Sequence, residues 1–176
     1  MNVYYTAYDD FIFLAPTGAE MDGLPVFRYG QRDAEFYGIE GELHLTLWEQ
    51  GGYSLGLRTV VDAVRGRFRS GGDLPRMPPV TVKSGLGLQS QYFDFGIDVR
   101  WAAEQNKIAT LELPTDSYLL LSFDLDVRPF KDHPEISFFA RARNLTDEQA
   151  RVSTSFLKDV APLPGRDFRL GAQVAF

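Results

Sequence analysis

Along most of this chain apolar side chains recur at every second residue, a period met by extended strands with one apolar and one polar face. In residues 167–176, Phe168, Leu170, Ala172, Val174 and Phe176 fall on one face, and Arg169, Gly171, Gln173 and Ala175 on the other. The stretch is about ten residues long, the length of a tilted strand crossing a bilayer. Over residues 92–101, Phe93, Phe95, Ile97, Val99 and Trp101 alternate with Asp94, Gly96, Asp98 and Arg100. Over 118–128, Leu119, Leu121, Phe123, Leu125 and Val127 oppose a set that includes Asp124, Asp126 and Arg128. Over 135–143, Ile136, Phe138, Ala140 and Ala142 oppose Ser137, Phe139, Arg141 and Arg143. Residues 80–90 set Val82, Leu86 and Leu88 against Thr81, Lys83 and Gln89, and residues 37–48 set Tyr37, Ile39, Leu43, Leu45 and Leu47 against Glu40, Glu42, His44 and Thr46. Residues 2–13 and 53–65 alternate more weakly. The expectation is an all-β chain of about eight antiparallel, up-and-down strands.

Alternation by itself also fits a soluble barrel with an apolar interior. Three features favour a membrane barrel. The apolar faces are nearly free of charge, and the polar faces are rich in Arg, Asp, Glu and Gly, as a watery lumen requires. The connections also alternate in length. Those at 49–52, 90–92 and 129–134 are expected to be tight turns, and those at 14–35, 66–79, 104–116 and 145–166 long loops. Short periplasmic turns and long extracellular loops are the habit of outer-membrane barrels, and put the C-terminus on the periplasmic side.

Bulk composition agrees without deciding. Hydrophobic residues make up 44% of the 176, which would pass for a soluble protein, because only one face of a barrel strand meets lipid. The 14 Phe and 8 Tyr suit aromatic girdles at the two interfaces. No apolar run approaches the ~18 residues of a spanning helix. The first residues, Met1-Asn2-Val3-Tyr4-Tyr5, do not read as a signal peptide, so the expectation is a processed chain or a piece of a longer one. The absence of cysteine removes disulfides and thiolate metal sites, and a net charge of −6 argues against nucleic-acid binding.

A run from Arg143-Asn144-Leu145-Thr146-Asp147-Glu148, through Pro164-Gly165-Arg166-Asp167-Phe168, to the closing Phe176 resembles the end of TonB-dependent outer-membrane receptors. Phe36-Tyr37-Gly38-Ile39-Glu40-Gly41-Glu42, Leu74-Pro75-Arg76-Met77-Pro78-Pro79 and Leu113-Pro114-Thr115-Asp116-Ser117-Tyr118 are similar to that family in the same order. The resemblance implies the C-terminal part of a ~22-stranded barrel. It also implies import of a scarce ligand (metal, siderophore, haem or similar) without a cofactor, driven by the TonB complex through a plug domain that these residues do not contain. Other implied partners are outer-membrane lipid and the barrel assembly machinery, which would read a terminal strand bearing Phe168, Leu170, Val174 and Phe176.

Candidate site residues lie on the polar faces. Asp94, Asp98, Arg100, Asp124, Asp126, Arg128, Arg141 and Arg143 are expected to line the lumen, either as charge ladders between strands or as contacts to plug or ligand. His44 and His133 fall in unlike places and read as solvated side chains, since a metal site needs several converging ligands. No nucleophile arrangement, calcium loop or phosphate loop is present, and catalysis is not expected. The rival readings are a self-contained eight-stranded barrel with an anchoring role and a soluble lipid-binding barrel.

Overall fold

Alternating faces resolve into one antiparallel sheet. The computed structural model describes residues 1–133 and 135–175. Its strands are β1 (Asn2–Met21), β2 (Leu24–Gln50), β3 (Tyr53–Phe68), β4 (Thr81–Gln89), β5 (Phe93–Ala102), β6 (Tyr118–Val127), β7 (Ile136–Arg143) and β8 (Asp167–Val174). Each strand pairs only with its neighbours in sequence, in the order β1 to β8. The sheet is open: among the described residues β1 and β8 are its two edges and do not pair with each other.

Register keeps like faces together. Ile97 lies between Leu86 and Phe123, Phe95 between Leu88 and Leu125, and Ala140 between Leu125 and Leu170. The apolar rows therefore merge into one band across the strands, with edge contacts such as Phe95 on Phe123 at 5.3 Å between ring centroids. Thr59 and Ser84 are opposed within this band and satisfy one another by a 3.0 Å hydroxyl hydrogen bond. Most of the band's large side chains are left exposed by the protein itself, Leu170 at 84% and Phe168 at 66% among them.

The tight turns lie at one end of the sheet. Gly51 and Gly52 both take positive φ between β2 and β3, where a side chain would be strained. The Ser90 hydroxyl oxygen accepts the backbone N–H groups of Tyr92 and Phe93 between β4 and β5. At the other end, residues 69–80, 103–117 and 144–166 form long connections.

The expected loop at 14–35 is instead a continuation of β1 and β2, joined by a two-residue turn at Asp22 (φ 52°) and Gly23 (φ 78°). Pro16, Gly18 and Pro25 obscure the alternation here, yet Pro16 still pairs with Phe27 and Pro25 with Glu20, which the sheet edge tolerates. The Asp-Gly dipeptide is the direct sequence signal for such a turn.

Faces reverse partway along the long hairpin. Odd residues of β2 are apolar from Leu47 to Tyr37, then become Glu35, Asp33 and Gln31 towards the hairpin tip. On even residues the opposite happens, and Ala34 and Phe36 join Phe68, Leu74, Phe11, Phe13 and Met77 in an apolar cluster on the face that elsewhere is polar. A bulge in β1 keeps that strand in step. Asp9 and Asp10 together face the single Asp33, and Asp10 takes φ 54°, so Phe11 and Phe13 turn onto the clustered face. A second small cluster, Ala102, Tyr118 and Ala150 with Leu120 and Leu163, fixes the 144–166 connection over the ends of β5 and β6.

Candidate functional site

Charged side chains concentrate in two regions of the polar face. The first is a ladder across β5, β6 and β7. Arg143 grips Asp124 with both terminal nitrogens, at 2.9 and 2.7 Å. Arg141 places Nε 2.9 Å from Asp124 and donates from one terminal nitrogen to both oxygens of Asp126, at 2.8 and 2.6 Å. Forked contacts of this kind suit the guanidinium plane. Asp94 lies directly across from Asp126, which would be repulsive, but Arg128 neutralises it at 2.9 Å. The same Arg128 donates to the carbonyls of Ser90 and Gln91, clamping the β4–β5 turn.

Six of the eight candidate residues are thus joined in ion pairs, three carboxylates with three guanidiniums. Asp98 and Arg100 stand apart. The Asp98 carboxylate covers Gly85, taking the place a Cβ would fill. Arg100 lies 5.9 Å from the Tyr118 ring centroid, and among the described residues its Nε has no hydrogen-bond partner. His44 meets Glu42 at 2.8 Å, and Arg58 meets the same carboxylate oxygen at 2.7 Å. His133 contacts Glu135 at 2.9 Å in the turn before β7. The Glu135 carboxyl is held below its ordinary pKa, first by its own backbone N–H and then by His133. Among the described residues no three or more His, Cys, Asp or Glu side chains converge where they could hold a metal ion. Phe168, Leu170 and Val174 lie exposed along the apolar face of β8, and Phe176 lies outside the described residues.

The second region is a cleft of about 890 Å³ at the loop end. It lies between the inner face of the β1–β2 hairpin and the three long connections. Those connections are tied together by two acceptors. The Glu112 carboxylate accepts from Lys158 Nζ at 3.0 Å and from the backbone N–H groups of Arg76 and Ala109. The Met77 carbonyl accepts from Gln105 at 2.9 Å and from the Ser153 hydroxyl at 3.4 Å. Glu112 and Lys158 are nearly buried, with side chains 11% and 7% exposed, so their pairing excludes water. Reading residues 14–35 as a loop hid Arg28 and Arg32, which the strand register sets on the cleft side.

The family model described as TonB dependent receptor-like, beta-barrel, matches residues 1–145. The chain belongs to this family of TonB-dependent receptor barrels. Solved structures agree on the fold. The copper transporter OprC superposes with a TM-score of 0.81 at 20% identity, over 99% of this chain and 29% of that one. A mutant of the ferric enterobactin receptor PfeA from Pseudomonas aeruginosa gives 0.66 at 17% identity, covering 99% and 28%. The outer-membrane transporter YddB from Escherichia coli gives 0.61 at 13%, covering 99% and 30%. This TonB-dependent receptor segment therefore spans under a third of the length of each of these transporters and receptors.

Proposed function

We propose that residues 1–176 are part of the barrel wall of an outer-membrane import receptor. The observation that supports this most directly is the charge-free, largely apolar band backed by an ion-paired polar face in an open sheet. The band faces lipid, the polar face borders a lumen, and strands beyond β1 and β8 complete the ring. An open eight-stranded sheet does not support the self-contained barrel. The ion-paired ladder is a structural lining of the lumen with no catalytic role. A plug elsewhere in the receptor fills that lumen and reaches the TonB complex. The strand bearing Phe168, Leu170, Val174 and Phe176 is read by the assembly machinery. Copper for OprC and ferric enterobactin for PfeA, as their names state, suggest a metal ion or a metal chelate as cargo here.

Residues 1–176 contain no cysteine, so a single cysteine placed in them, in a receptor with any other cysteines replaced, reports the topology of this segment. In intact cells a cysteine at Val160, exposed in the 144–166 connection, reacts with a membrane-impermeant maleimide. One at Tyr92, in the β4–β5 turn, reacts only after the outer membrane is permeabilised. Labelling of both sites in intact cells, or of neither, overturns this topology.

A further inference from the structure

The polar faces carry one kind of side chain that a watery lumen does not call for. Phe139 stands with Ser137, Arg141 and Arg143 on the polar side of β7, yet it is half-buried, while Phe138 on the apolar side is exposed. Its cover is the strand beside it. Phe139 lies directly across from Gly171 of β8, and its ring occupies the space that a Cβ on that glycine would need. On its other side it faces Asp126, whose carboxylate is held by Arg141. The arrangement recurs elsewhere in the sheet. Tyr4 lies across from Gly38, where a Cβ would meet the ring at 2.7 Å, and Phe36 across from Gly66, where a Cβ would meet the ring at 2.9 Å. In each pair only glycine leaves room for the ring.

At β8 this contact has a task. Among the described residues β8 has one neighbour, so β7 alone sets its register. A two-residue turn fixes the register of its strands, but the 144–166 connection is too long to do so. Asn144 donates to the Pro164 carbonyl at 3.1 Å and Asp147 accepts the Arg166 N–H at 3.0 Å, which closes the base of the connection without reaching into the ladder. A slip of one residue would turn the apolar row of β8 to the polar side. A slip of two would not. It would set Phe138 against Leu170 and Ala140 against Phe168, still apolar on apolar. It would also exchange the Arg143–Asp167 pair for Arg141–Asp167 and remove the like-charged pair Arg141–Arg169. Band and charges therefore do not select the observed register. The same slip would drive the Phe139 ring onto Arg169 and leave Gly171 opposite Ser137. We propose that Phe139 and Gly171 form a register key, in which the ring seated on the glycine fixes the pairing of β8 with β7. Phe139 is a positioning residue: it sets the height at which each side chain of β8 stands on the wall.

The test uses the full-length protein in cell envelopes, with any cysteines outside residues 1–176 replaced. A cysteine at Ala140 is combined in turn with one at Leu170, which faces it, or at Phe168 or Ala172, two residues to either side. Two residues of strand are about 7 Å, beyond the reach of a disulfide, so each pair reports its own register. Oxidation with copper phenanthroline is followed by mass spectrometry of the linked peptides. Without further substitution the 140–170 link should dominate. Phe139→Ala should raise the yield of offset links relative to the facing link about fivefold, the loss of one strong cross-strand contact. Gly171→Val, which fills the seat, should act in the same direction. Phe139→Tyr keeps the ring and should leave the ratio unchanged. So should Phe138→Ala, which removes an equal ring from the other face of the same strand. Heat-modifiable migration selects folded material, and Phe139→Leu, expected to raise the ratio by less, replaces Phe139→Ala if that variant yields none. An unchanged ratio in the variants that lose the ring, or an equal rise in Phe138→Ala, overturns the proposal. The links report strand pairing whatever the protein imports, so either result leaves the receptor reading to the topology labels.

Discussion

Glu112 is a single carboxylate shared by two neighbouring backbone N–H groups and one nearly buried ammonium, from three separate connections. Among the described residues, removing it leaves the Lys158 ammonium only the Ser153 carbonyl, at 3.2 Å. Breaking one side of a buried pair costs about 3–5 kcal/mol, more than a surface bridge of any geometry. Glu112→Ala should therefore loosen all three connections together, seen as faster trypsin cleavage within 69–80, 103–117 and 144–166. Glu112→Ala with Lys158→Met should recover much of the protection, because no stranded charge remains. At the opposite end of the sheet, Glu135 makes a different prediction. Its carboxyl pKa is depressed, so its stabilisation of the β6–β7 turn is present above the ordinary carboxylate range and is lost as pH falls through the depressed value. Exchange protection of the Ile136 amide, its rate relative to an unstructured peptide at the same pH, should fall on acidification in the unaltered protein, while Glu135→Gln should show low protection at neutral pH and little further change. Equal pH response in both would exclude this role.

At the scale of the strand, the apolar band sets the cost of charge by depth. Ile97 sits mid-strand between Leu86 and Phe123, whereas Trp101 sits near the loop-side end of β5. Ile97→Arg should destabilise the folded barrel by about 2–4 kcal/mol and Trp101→Arg by roughly 0–1 kcal/mol in urea titrations from lipid. Equal penalties would mean that the band is not a lipid face. The strands were legible in the sequence wherever apolar and polar residues alternate strictly, as in Phe93 to Trp101. The hairpin tip was not, because above the band neither face is held to one chemistry and Pro16, Gly18 and Pro25 interrupt the pattern. The ion-paired ladder was legible as a set of residues on one face, but its pairing was not. Whether Arg141 chooses Asp124, Asp126 or both depends on register and side-chain reach. The cleft residues Glu112 and Lys158 were illegible for a plainer reason. They meet through loops whose path no periodicity records.

For the molecule as a whole, the two edges matter most. Each of β1 and β8 presents a line of backbone donors and acceptors with no strand beyond it among the described residues. Unpaired backbone groups in hydrocarbon cost several kcal/mol each, so eight strands in this arrangement do not make a stable span by themselves. Residues 1–176 produced alone should give heterogeneous or aggregated material in detergent by size-exclusion chromatography. A monodisperse, heat-modifiable monomer would instead show that β1 and β8 can meet. The reversal of faces along β2 also has a consequence for how such a wall sits in its bilayer. Ile39 suits hydrocarbon and Glu35 suits water, with Tyr37 between them at the level where amphipathic rings rest. From Tyr37 to either neighbour on that face is two residues, about 7 Å of strand. If the band faces lipid as proposed, this face of β2 carries its own waterline, and a bilayer of mismatched thickness would have to deform at Tyr37 rather than slide past it.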